Sequence, residues 1–546
     1  VPRMTVLAPA SPFPVSARVP ALGADGMVSA SHPAISRAGA EVLASGGNAV
    51  DAALAMAAVA WLALPGQCGV GGDAFALVRE ADGEVRAFCG SGFGPDGGTP
   101  DRYGAATTLP RYGPLSVTAP GAVAALAALH VAGATRPLPE LWQPAVRIAA
   151  AGLPCTARTR DDIGRHRDRL AADPDTAAAL LRDGRAPAVG TRLAHPRLAE
   201  SIATLARDPD ALYTGSLADR AVEALVAGGA PFTGDEWAAS GHVPAQAPLE
   251  GRYAGHRVFQ TPLPTPGWMV LDQLAMCDGE LRTGGTAPAP LGVEAVHRLA
   301  GAARIAFDDR YHRAGADVPV PARAGDPAAL AHARERIRAG DLPGPAGARA
   351  GGDTTSMVAV DAEGRAVGLI ASLAFTFGAG TTVPGTGIVL NNRLARGAYL
   401  VPGHPNEVRP RRRPLHTLNT WLVTDDGGRL QHVGNTPGGD GQVQWNAQLI
   451  SHLLDHGAGP QDAVDAPRFS VFPGSDAGDL GSPAELRCED RLGPAVLAGL
   501  AARGHRVVDV GGHGAGGSAQ VVSVDQRSGC LVAGSDSRQE GVALGV

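Results

Sequence analysis

Gly352-Asp353-Thr354-Thr355-Ser356-Met357-Val358-Ala359-Val360-Asp361 is a strand entered from a glycine turn, with small, polar and β-branched residues in alternation. It continues through Glu363-Gly364 into Val367 to Ile370, a spacing that predicts a hairpin. Phe75 to Val78 and Val85 to Phe88, around Asp82-Gly83, predict a second hairpin, so both halves of the chain point to antiparallel sheets. The position of Thr354 carries a chemical option as well. If the bond before it is cut, one residue holds both a hydroxyl nucleophile and, in its new α-amino group, the base a hydroxyl needs at neutral pH. Taken alone, the ten residues read as an ordinary strand start.

Outward from this strand, Gly340 to Gly352 is rich in Gly, Pro and Ala with no periodic pattern, and 340–353 reads as a flexible segment ending at Thr354. Residues 120–340 alternate helices and loops, with a charged amphipathic piece from Thr159 to Arg182, and predict a helical layer with a connecting lobe. Ser36 to Leu43 predicts a helix ended by Gly46-Gly47, after which Asn48 can cap another. That next helix carries Val50, Leu54, Ala57, Ala58, Trp61 and Leu62 and is apolar almost all round, so it belongs inside a sandwich. Prolines at 2, 9, 12, 14 and 20 make 1–25 an irregular lead-in, with order expected from Gly26. Toward the other end, a helix is predicted from Gln442 to His456 and strands over Val507 to Val510, Ala519 to Val524 and Leu531 to Ser535.

Composition narrows the function classes. A formal charge of −6 argues against a nucleic-acid binder, which needs a basic surface. There is no lysine, so every basic side chain is an arginine or a histidine; Arg409, Arg411, Arg412 and Arg413 cluster in what reads as a solvated turn. The six cysteines lack the close paired spacing of zinc or redox motifs, and neither metal nor organic cofactor is called for. The apolar run from Ala52 to Leu64 is shorter than the ~20 residues a membrane span needs. Prolines interrupt the N-terminal stretch before a signal-peptide core forms, and a cytoplasmic location is expected.

Several motifs recur in a fixed order. Gly46-Gly47-Asn48-Ala49-Val50-Asp51-Ala52-Ala53, Gly69-Val70-Gly71-Gly72-Asp73-Ala74-Phe75, Thr118-Ala119-Pro120-Gly121, the Thr354 stretch, Gly385 to Asn392, Thr436-Pro437-Gly438-Gly439, Ala466-Pro467-Arg468-Phe469 and Ser535 to Gly541 together resemble the γ-glutamyltranspeptidase family of self-processing hydrolases. The resemblance implies an α+β fold, a four-layer αββα sandwich with a helical lobe. It implies a precursor that cuts itself between Asp353 and Thr354 into a large subunit, 1–353, and a small one, 354–546. Thr354 would then be the nucleophile and Gly438 and Gly439 the oxyanion donors. Ser372 stands where relatives carry a second threonine that holds the nucleophile. The partners implied are a small acyl-amide substrate and the two subunits of one precursor; whether two such pairs form a dimer of heterodimers stays open.

The chain departs from the family where a glutamyl head group would be held. Ala374 occupies the asparagine position, Arg393 the glutamine position, Arg396 lies near the aspartate position, and His416-Thr417 stand for the paired serines. An arginine fork suits a carboxylate and repels an ammonium. Arg393, Arg396, His416 and Thr417 therefore predict an acyl group ending in a carboxylate, and the pattern looks nearer the oxamate amidohydrolase and acylase side branch. Even there Phe93 replaces an arginine that the branch often carries. A glutathione-type γ-glutamyltransferase, a hydrolase of a carbon–carbon bond that releases an oxalyl-type unit, and an uncleaved non-enzymatic protein remain as alternatives.

Overall fold

The computed structural model describes residues 13–546 apart from 14, 15, 17, 105–107, 282–288, 321, 345–352 and 477–481, and for Asp353 the backbone alone. The Asp353–Asp361 and Ala366–Ala374 strands form the predicted hairpin, and Ala366–Ala374 pairs in turn with Asp73–Arg79, which pairs with Val85–Gly90. Gly26–Ala30 and Val542–Gly545 extend this sheet on one side and Ala245–Gln246 on the other, making seven antiparallel strands. The second seven-stranded sheet runs Ala21–Gly23, Leu531–Ser535, Gln520–Val524, Leu430–Asn435, Thr420–Thr424, His256–Gln260, Leu249–Tyr253.

Alternation along the strands sorts side chains into layers. Val358 and Val360 face the second sheet and meet Leu422, Val433, Val522 and Ala533. Their neighbours Met357 and Ala359 turn the other way, onto the Pro33–Ala44 and Ala49–Ala63 helices. From the second sheet, Trp421, Val423 and Val521 pack outward against the Gly267–Cys277, Val293–Arg313 and Gly441–Leu454 helices. The result is helix, sheet, sheet, helix, the expected αββα sandwich.

Every residue of Ala49–Ala63 is buried, and its start is fixed by a capping box in which Asn48 Oδ1 accepts from Asp51 N–H at 2.9 Å while Asp51 Oδ2 accepts from Asn48 N–H at 3.0 Å. The lobe differs from expectation. Thr159 to Arg182 is three short helices, Ala157–Arg165, Arg167–Ala171 and Pro174–Leu180, because Asp173-Pro174 caps and starts a new one; Ile163, Leu170 and Leu180 close around Phe377.

Two further expectations are corrected. Order begins before Gly26: Ala21–Gly23 is an edge strand on Leu531–Ser535, Arg18 donates to the Gly541 carbonyl at 2.7 Å, and the buried Phe13 ring lies 4.8 Å from that of His452. The prolines do not prevent this, since an edge strand leaves one row of amides unused. Val507 to Val510 is no part of the main sheets: Val507–Asp509 runs parallel to Glu485–Cys488 in a separate three-stranded sheet. Of the 340–353 segment, 345–352 lie outside the described residues, while Gly340 ends the Pro327–Ala339 helix in the left-handed conformation. Among the described residues no helix is long and apolar enough to cross a membrane.

Burial also sets an acid limit. His416, His432 and His452 each have the pKa pushed down to about 3, chiefly by removal from water. Their folded values lie below the unfolded one, so the stability they contribute is present above pH ~6.5 and is lost as pH falls toward 3, because only the unfolded chain takes up the protons. Each adds a slope approaching ~1.4 kcal/mol per pH unit over that window. Thermal melts from pH 7.5 down to 4.5 should show a steadily falling midpoint; a flat profile would contradict the neutral assignment.

Candidate active site

Thr354 sits at the mouth of the gap between the sheets, 2% exposed, beside a register shift between Asp353 and Thr355. The following residue is also tied down: with the Gln67 amide turned so that both its ends are satisfied, its nitrogen donates to the Thr354 carbonyl at 2.8 Å and to Thr355 Oγ1 at 3.3 Å. Gln67 Oε1 then accepts from Arg158, which reaches in from the helical lobe. From the start of the Gly441–Leu454 helix, Gln442 Nε2 donates to Thr354 Oγ1 at 3.4 Å, and Gln442 Oε1 accepts from Asn419 N–H at 3.3 Å.

Gln442 lies in the first turn of the Gly441–Leu454 helix, which follows directly on the glycine loop. Leu430–Asn435 leads into that loop, and Asn435 Nδ2 anchors its root across the gap by donating to the Leu369 carbonyl at 3.0 Å. Gly438 has φ +130° and Gly439 φ +56°, so the chain turns there as L side chains rarely allow. The Trp445 ring fills the space beneath: a Cβ on Gly438 would stand 2.1 Å from its Cζ3. Among the described residues, neither the Gly438 nor the Gly439 amide is paired with an acceptor.

Ser372 is buried on the adjacent strand, its Oγ accepting from Ala374 N–H at 2.8 Å, and it pairs in register with Asp73. Asp73 Oδ2 accepts from Arg393 Nε at 3.2 Å and from His416 Nε2 at 3.0 Å. Because His416 Nδ1 accepts from Leu418 N–H at 3.2 Å, the ring proton is on Nε2. Arg396 Nη2 donates to Asp440 Oδ2 at 2.8 Å, and Asp440 also takes the Ser475 hydroxyl at 2.6 Å and amide at 2.9 Å. Thr417 is buried beside His416, and its carbonyl accepts from Asn419 Nδ2 at 3.3 Å.

These contacts revise the picture of Arg393 and Arg396 as open forks. Both are wholly or nearly buried and each is held by a carboxylate, since an unpaired guanidinium away from water is costly. Burial pulls the Arg393 pKa down to about 10, with Asp73 opposing. Burial acts on Arg396 too, but Asp440 and Asp476 raise it above the ordinary arginine value. The reversal of pocket sign is thus partial.

The solvated-turn expectation holds for exposed Arg409 and Arg411, which pair with Glu407 and Asp96. Arg413 is different: it stacks 3.8 Å over the Phe93 ring and donates to the Ser91 carbonyl at 2.7 Å.

With this geometry in hand, similarity to known proteins decides the family. The Gamma-glutamyltranspeptidase family profile matches residues 35–546. The chain belongs to the γ-glutamyltranspeptidase family. It is 33% identical over 540 residues to the glutathione hydrolase-like YwrD proenzyme of Bacillus subtilis, covering 96% of this chain and 99% of that protein. It is 31% identical over 542 residues to the oxamate amidohydrolase proenzyme of Klebsiella pneumoniae, covering 95% and 98%. The crystal structure of a cephalosporin acylase from Bacillus halodurans superposes with a TM-score of 0.87 at 29% identity, covering 99% of each chain. As a member of this family of hydrolases, the chain is an enzyme with the N-terminal-nucleophile hydrolase fold.

Within this γ-glutamyltranspeptidase-family fold, the structure brings Thr354, Gly438, Gly439, Ser372, Arg393, Arg396, His416 and Thr417 to one end of the inter-sheet gap. Sequence reading missed Gln442, Asn419, Asp73, Asp440 and Arg310. Asp73 lies within one quoted glycine motif and Asp440 adjoins another, which was a usable signal. Arg310 had one too, as a lone cation on the apolar stripe of Leu299, Ala303, Ala306 and Phe307, at helical spacing. Nothing local marked Gln442 as a partner of Thr354.

Proposed function

We propose that the chain is cut between Asp353 and Thr354, giving subunits 1–353 and 354–546, and that Thr354 then hydrolyses an amide whose small acyl group ends in a carboxylate. The observation that carries this reading is the bond to Thr354 Oγ1 from Gln442, which stands in the first turn of a helix that directly follows a glycine loop whose two amides have no described acceptor. In the precursor, the Thr354 hydroxyl attacks the Asp353 carbonyl carbon, the peptide nitrogen leaves as the new α-amine, and water resolves the resulting ester. In the mature enzyme that amine takes the proton from Oγ as it attacks the substrate carbonyl and passes it to the leaving amine. Water then repeats the attack on the acyl ester and regenerates the hydroxyl.

The oxyanion formed at each attack is answered by the Gly438 and Gly439 amides, which a fixed loop presents without reorganisation; a donor of this kind is worth ~3 kcal/mol. Neutral His416 keeps Asp73 oriented and is no proton shuttle near pH 7, since its pKa of about 3 leaves nothing to titrate there. Ser372 steadies the strand turn next to the nucleophile through Ala374.

Relatives named for oxamate amidohydrolase and cephalosporin acylase activity support an acyl group other than glutamyl. So does the replacement of amine-holding residues by Arg393 and Arg396, which would repel the ammonium of a γ-glutamyl group. A panel of oxalyl, succinyl, glutaryl and γ-glutamyl anilides tests this. The best diacid amide should exceed the γ-glutamyl amide in kcat/KM by at least about tenfold, the effect of ~1.4 kcal/mol; preference for the γ-glutamyl amide would refute it.

A further inference from the structure

Arg310 projects from the Val293–Arg313 helix into the cluster that holds Arg393 and Arg396 and is 3% exposed. Its Nη2 donates to the His416 carbonyl at 3.0 Å, which places it against the ring that pairs with Asp73. Its remaining nitrogens, Nε and Nη1, have no partner among the described residues. The same is true of Nη1 and Nη2 of Arg393 and Nη1 of Arg396. Buried polar groups are ordinarily satisfied by protein or ordered water, so five unanswered guanidinium nitrogens in one cluster are donors that one anion could take together.

The charges agree with the donors. Three guanidinium groups, of Arg310, Arg393 and Arg396, face two carboxylates, of Asp73 and Asp440. Arg111 and Asp476 nearby answer one another at 3.2 Å, and His416 is neutral. One positive charge is left over. Arg310 lies within electrostatic range of Asp440 and Arg396, and Arg393 within range of both other arginines, so the excess is shared across one place.

We propose that Arg310 is a specificity-determining residue which, with Arg393 and Arg396, receives a single carboxylate of the acyl group, so that the preferred substrate is the half-amide of a dicarboxylic acid. This rests on the hydrolase reading above. The contribution comes from the segment before Thr354, while Arg393 and Arg396 come from the segment after it, so the carboxylate would bridge the two halves of the chain. A monoanion completes the charge balance; a second anionic group would find no further cation among the described residues of the cluster.

The test compares glutaryl and uncharged valeryl p-nitroanilides of the same carbon-chain length in the wild-type enzyme, Arg310→Met and Arg310→Lys, with processing read on a denaturing gel. Wild type should favour the glutaryl amide by about 100-fold or more, as sites built around polar contacts do. Arg310→Met should be processed, lose about 10- to 100-fold in kcat/KM on the glutaryl amide mainly through KM, and keep its rate on the valeryl amide; Arg310→Lys should recover part of the loss. If wild type shows no preference for the charged acyl group, the carboxylate reading itself falls. If wild type discriminates and Arg310→Met discriminates equally, that reading stands and the role of Arg310 is overturned. Should Arg310→Met fail to fold, Arg310→Gln, which keeps a donor for the His416 carbonyl, decides: a KM for the glutaryl amide within twofold of wild type, with competitive inhibition by glutarate unchanged, overturns the role of Arg310.

Discussion

Thr354→Ala should run as one band of the full 55.2 kDa on a denaturing gel, where the wild-type chain should give fragments of about 35 and 20 kDa in proportion to length. Its hydrolytic rate should fall by at least about 10⁴-fold, the scale seen when the nucleophile of a concerted catalytic unit is removed. Both effects have one cause in the proposed mechanism, in which the hydroxyl that opens the Asp353–Thr354 bond also accepts the acyl group. The substitution should leave the fold intact. The hydroxyl's described hydrogen bond is a 3.4 Å contact from Gln442, and the strand is held by its pairing with Ala366–Ala374 and Gly26–Ala30. Thermal melting therefore separates loss of chemistry from loss of structure. Thr354→Ser should still be cut and active at a reduced rate. Processing of Thr354→Ala at the wild-type rate would remove Thr354 from the mechanism.

What the sequence revealed and what it hid follow from the range of the interactions involved. The hairpins were legible because inward and outward residues alternate within each strand, and Ala49–Ala63 because an all-apolar helix has one place to go. Its capping box lies within four residues and was half read from Asn48. Pairings between remote segments left no such trace. Asp73 and Arg393 are joined across 320 positions, so neither stretch shows the pairing, and the sequence leaves Arg393 between a substrate fork and a structural ion pair. The Ala21–Gly23 strand was hidden because its partner is Leu531–Ser535, at the opposite end of the chain. Arg310 was hidden differently: the sequence shows only a helix-rich stretch over 120–340 around it, and a buried arginine has meaning only once its neighbours and their charges are known. The nucleophile candidate was legible through ordered motifs, whereas the surroundings that select its substrate are built from contacts across the sandwich.

Gly438→Ala should cost more catalysis than its single added methyl suggests. At φ +130° an L side chain is strained, and the new Cβ would fall 2.1 Å from Trp445 Cζ3, a distance no relaxation of the methyl alone can relieve. The indole cannot easily retreat, because it is buried, stacked under Arg468, and also closes on Gly441, where a Cβ would lie 2.4 Å from Cη2. The loop must therefore move, taking the Gly438 and Gly439 amides off the position of the oxyanion in the proposed mechanism. Losing one such donor costs about 10²- to 10³-fold in kcat, and displacement of both should reach the upper end of that range with little change in KM, because the ground-state carbonyl depends on them less than the tetrahedral species does. Trp445→Leu in the Gly438→Ala background removes the obstructing ring edge and should return part of kcat if steric displacement is the cause. A Gly438→Ala enzyme within threefold of wild type would show that these amides do not stabilise the transition state, and the glycine loop would then have to be read as a turn alone.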